Sequence, residues 1–91
     1  MKNKLENKVN FLNKKNSGIY FLILHNDKYN TFKYVSNSLM EICKHSEVQA
    51  EQCTFITHHI GECDVKKGEK KNLELMRKEL KIRGLNVSIR K

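Results

Sequence analysis

No apolar run in this 91-residue chain approaches the length of about 18–20 residues that crosses a bilayer, so neither a membrane-spanning helix nor a membrane partner is expected. Lysines stand at the N-terminus, but no apolar h-region follows them, and no secretory signal is visible. Cysteine is scarce. Cys43, Cys53 and Cys63 are odd in number, widely spaced and free of any CxxC, which points to free thiols in a reducing compartment and hence to a cytoplasmic protein. Phosphate loops, dinucleotide glycine fingerprints and the nucleophile elbow are all missing. Proline is absent too; beside the many lysines and asparagines, that reads as compositional bias and excludes nothing by itself. A zinc site has little to build on: Cys53, His58, His59 and Cys63 are competent ligands, but their spacing matches no common zinc pattern. With no metal, no cofactor and no triad, no catalytic residue is assigned and an enzyme is not expected.

What is present is a globular composition, 38% hydrophobic and 31% charged, in a chain short enough for one domain and one modest core. The net charge is +8, and residues 1–17 hold half of the excess: Lys2, Lys4, Lys8, Lys14 and Lys15 against Glu6. These residues read as a flexible N-terminal extension, with residues 18–91 as the core domain. A small basic nucleic-acid-binding domain is the rival reading, with Lys66, Lys67, Lys70 and Lys71 as its phosphate contacts. It is disfavoured because Tyr20, Phe21, Tyr29, Phe32, Tyr34 and Phe55 are not interleaved with those lysines, as stacking on bases requires.

The apolar run Ile19–Leu24 predicts a strand covered on both faces, followed by a polar loop at His25–Asn30. Thr31 is an N-cap for a helix over about 32–44, whose stripe Phe32, Val35, Leu39 and Ile42 is spaced 3, 4 and 3. Ser46 and Gln49 form a capping box for a second helix that stops at Gly61, with Ala50, Cys53, Thr54, Thr57 and His58 on its inner face. A short polar edge strand is expected over 62–67. A third helix over 69–83 carries Leu73, Met76 and Leu80. Leu85, Val87 and Ile89 then alternate as a last strand with one buried face. The order βααβαβ defines an α+β two-layer sandwich: a three-stranded sheet with three helices on one face.

The group His25-Asn26-Asp27, where the first strand ends, is the most suggestive polar cluster, with His58 able to approach it from the second helix. On residue types alone the ordinary reading stands beside it, since Asn and Asp after a strand are turn-formers. The stretches LHNDKYNTFKYV and AEQCTFITHHIG, however, resemble the ClpS family of Clp protease adaptors, the N-degron recognition proteins. The matches are Asn26, Asp27, Tyr29, Tyr34, Val35, Ala50, His58 and Gly61, at the family's spacing and without a gap. The resemblance implies the same βααβαβ fold. It also implies that Asn26, Asp27 and His58 bind a substrate's α-amino group, and that Asn30, Phe32, Val35, Thr54, Thr57 and Leu85 line a pocket for its first side chain. The implied partners are N-degron substrate proteins and a Clp-type AAA+ unfoldase, ClpA- or ClpC-like. The chain departs from the family pattern where a second motif Asp is Lys28, where Thr-Pro is Asn30-Thr31, and where two pocket methionines are Phe32 and Thr54.

Overall fold

A computed structural model describes residues 18–91; the extension expected at 1–17 lies outside the described residues. The order is β1 (Tyr20–His25), α1 (Phe32–Ile42), α2 (Glu47–Ile60), β2 (Glu62–Gly68), α3 (Lys70–Ile82) and β3 (Asn86–Arg90). This is the anticipated βααβαβ sandwich. β1 is the central strand and pairs antiparallel with both β2 and β3, in the order β2-β1-β3. The strand begins one residue later than its apolar run predicts, and Ile19 is left exposed.

The period-two alternation of β1 sends Leu22 and Leu24 into the helix-covered core, where they meet Val65 of β2 and Val87 of β3. α2 lies against β2, and α3 against β3 and β1. α1 packs against both other helices and delivers Val35, Leu39 and Ile42 to the same cluster. The second face of β1 is covered as well, in a different way. Ile23 is 4% exposed. Its flanking neighbours on that face are Phe21 and His25, which oppose Arg90 and Glu62 respectively. Arg90 and Glu62 form a two-pronged ion pair at 2.8 and 3.3 Å across the central strand.

Helix ends follow their capping residues. Thr31 Oγ1 accepts from Tyr34 N–H at 3.1 Å, and Ser46 Oγ accepts from Gln49 N–H at 3.1 Å. Gly61 closes α2 at φ 110°, a region that L side chains avoid. α1 stops at Ile42, earlier than the spacing predicts, because Lys44 turns to φ 62°. That turn places His45 inside, where its Nε2–H donates to Val65 O at 2.7 Å. The β1–β2 register skips Val65, a bulge that withholds its backbone from β1, so the imidazole satisfies a carbonyl that the ladder leaves over.

Candidate functional site

β1 ends at His25, and the chain leaves the sheet at Asn26, whose N–H donates to Gly61 O at 2.9 Å. That bond ties the end of the first strand to the end of α2. The two termini meet around a cavity of about 340 Å³. Its lining includes Asn26, Asp27 and His58 from the polar side, and Leu24, Phe32, Val35, Thr54 and Thr57 from the apolar side. Lys28 and Asn30 complete the rim with His25.

Asp27 is held by the loop it belongs to. Its Oδ1 accepts from the N–H groups of Tyr29 and Asn30, both at 2.8 Å, and its Oδ2 accepts from Asn30 Nδ2 at 2.9 Å. Partial burial pulls its pKa upward, but the two N–H bonds and the Asn30 amide outweigh it and hold the carboxyl below its usual 3.8. Asp27 is therefore an anion at any neutral pH, with lone-pair capacity left on Oδ2, since a carboxylate offers about four acceptor positions. Asn30 also donates to Gly84 O at 3.0 Å, pinning the loop to the turn between α3 and β3. The Tyr34 hydroxyl reinforces this by donating to Arg83 O at 2.7 Å.

The apolar wall is quieter than its residue types suggest. Thr54 and Thr57 are each only 5% exposed, and their hydroxyls donate back along α2, to Ala50 O and Cys53 O, both at 2.8 Å. Their hydroxyl protons are spent on their own helix, so neither offers a donor to the cavity. Phe32 is 47% exposed and stands at the mouth. The lysine at position 28 is the one ammonium in the lining.

Nine residues were expected at the site, and eight line the cavity. The exception is Leu85. Gly84 turns at φ 86°, and Leu85 N–H bonds Leu80 O at 3.0 Å. This swings its side chain into the core cluster, 4% exposed, away from the cavity lining. His58 is corrected in another sense: it is exposed on the cavity side and not buried on the inner face of α2, and Cys53 is half-buried. Leu24 and Lys28 were not among the expected lining residues, and His25, part of the polar cluster at the end of the strand, lines the cavity as well. The signal for Leu24 was present, because it is the last apolar residue before the polar loop and shares a face with Leu22.

The remaining candidates stay apart from this cavity. All three cysteines are free thiols, and burial pushes Cys43 up to about 11 and Cys63 up to about 12. The described residues hold no group of three or more His, Cys, Asp or Glu that could bind a metal ion, and no helix among them is long and apolar enough to cross a membrane.

Fold and cavity together define a small α+β recognition domain, with a carboxylate, an amide and an imidazole above an apolar recess. The chain belongs to the ClpS family of ATP-dependent Clp protease adaptor proteins, whose family model matches residues 15–88. Its fold is similar to that of ClpS2 of Agrobacterium tumefaciens, solved bound to L-phenylalaninamide. The two share 23% identity over 78% of this chain and 93% of that chain, with a TM-score of 0.75. No curated protein matches the chain.

Proposed function

We propose that this adaptor binds proteins whose N-terminal residue is bulky and apolar, and hands them to a Clp-type AAA+ unfoldase of the ClpA or ClpC kind in the cytoplasm. It does no chemistry of its own. The observation that carries the reading is the convergence of Asn26, Asp27 and His58 on one cavity with an apolar wall.

The chemistry fits at each point. A free α-amino group is a cation with N–H donors and needs acceptors close together. The spare capacity of Asp27 Oδ2, the Asn26 amide oxygen and a ring nitrogen of His58 supply them, and bonds to a charged donor are the stronger kind. Behind them, Leu24, Val35 and the two threonines form a recess without free donors, suited to a hydrocarbon side chain. Burying a Leu- or Phe-sized side chain there contributes about 1.5–3 kcal/mol. The ligand of the Agrobacterium protein, an amino-acid amide with a free amine and an aromatic side chain, is of the same chemical kind.

The test is a titration of peptides beginning with Leu, Phe, Tyr or Trp against the same peptides acetylated at the N-terminus. Free termini bind and acetylated ones do not, because acetylation removes both the charge and two donors. Equal binding of the two sets sinks the proposal.

A further inference from the structure

The rim of the cavity carries a cation to which amine recognition gives no task. Lys28 lines the cavity and is exposed. It makes no ion pair with any carboxylate of the described residues. Its neighbour Asp27 turns its carboxylate to the N–H groups of Tyr29 and Asn30 and to the Asn30 amide, not to Lys28. Glu62, the acid facing the His25 end of β1, is held by Arg90. Lys28 thus lines the cavity with no countercharge of its own among the described residues.

Such a group cannot be indifferent to what binds. An incoming α-amino group is itself cationic, and Lys28 opposes it. A ligand that carries a carboxylate just behind its amine removes that penalty and gains an attraction. Asp27 and Lys28, adjacent in the chain, present opposite charges to a ligand that is positive at its end and negative a residue or two further on. The flexible four-carbon stem of lysine lets its charge follow such a group over a short range. Resting on the reading above, we infer that Lys28 is a specificity-determining residue that selects bulky N-termini with an acidic side chain at the second or third position, and disfavours those with Lys or Arg there.

The experiment titrates the full chain with four peptides of otherwise common sequence, beginning Leu-Asp, Leu-Ala, Leu-Lys and Leu-Ala-Asp. Wild type, Lys28→Ala and Lys28→Glu are compared. Wild type binds both acidic peptides tightest and Leu-Lys weakest, with roughly two- to five-fold between Leu-Ala and either acidic peptide for one exposed charge pair. Lys28→Ala narrows the spread, Lys28→Glu inverts it, and raising the salt to about 0.5 M compresses it. The chain's net charge of +8 favours acidic peptides wherever they dock, so the inversion by a single residue is what carries the assignment. Equal affinities in wild type, or an unchanged order in Lys28→Glu, overturn it. If Leu-Ala binds no better than its acetylated form, the reading of the amine site falls and this inference falls with it. If Leu-Ala binds normally without a charge order, this inference falls alone.

Discussion

Asp27 has two duties, and substitution separates them poorly. It organises its own loop through three hydrogen bonds and lends the cavity its negative charge. Asp27→Ala removes both, and because bonds to charged groups contribute about 1.5–3 kcal/mol, affinity for a Leu-initiated peptide falls roughly ten-fold or more. The pH dependence of binding reports on the charge of Asp27. Asp27 has a folded-state pKa below its ordinary value. Its contribution is therefore complete above 3.8 and is lost only as pH falls through the lower, folded value. His58 brings a ring nitrogen to the same cavity, and His58→Ala removes that acceptor. In fluorescence anisotropy the charge of Asp27 therefore falters only within the carboxylate range, and His58→Ala weakens binding of a Leu-initiated peptide several-fold at neutral pH. Unchanged affinity in His58→Ala contradicts the role given to His58. At this scale the resemblance to the ClpS pattern pointed to Asn26, Asp27 and His58, and all three line the same cavity. It was opaque for Leu85, whose direction depends on a glycine turn and one backbone bond to Leu80. The back-bonded hydroxyls of Thr54 and Thr57 were likewise beyond a linear reading.

At the level of elements, the site depends on where α2 stops. Gly61 at φ 110° ends the helix and lends its carbonyl to Asn26 N–H. A Cβ there meets nothing within 4 Å, so the cost of Gly61→Ala is that of backbone strain, about 1–2 kcal/mol. Thermal unfolding falls by roughly 4–8 °C per kcal/mol in a domain of this size, and peptide affinity falls with it as the cavity loosens. Gly68→Ala, also with open space around it and with no positive φ, leaves the midpoint in place. Equal Tm values for the two variants would show that the turn is not under constraint. Capping residues made the helix boundaries legible: Thr31, Ser46 and Gly61 stand where they were expected. β2 was the hardest element to place, because the alternation expected of a polar edge strand is interrupted at Val65, and a bulge leaves no mark in so short a stretch.

For the molecule as a whole, one cluster serves all six elements, and a small domain has little reserve. Leu39 is fully buried at its centre, and Leu39→Ala costs about 2–5 kcal/mol. That is a large share of the 5–15 kcal/mol typical of a whole domain. Denaturant unfolding followed by circular dichroism shows a correspondingly lower midpoint; a shift below about 1 kcal/mol would mean that the core can collapse around the missing atoms. The overall layout was legible because three periodicities — two amphipathic helices and one alternating strand — each demanded the same covered face. The strand order was not, since nothing local says that the first strand belongs in the middle. That order has a consequence for synthesis. β1 is the first described strand made, yet β3, on one of its flanks, arrives far later: His25 waits for Ser88, 63 residues on. A chain halted on the ribosome before Val87 and Ile89 emerge holds its middle strand half bare, and recognition of substrates begins only after translation has moved past them.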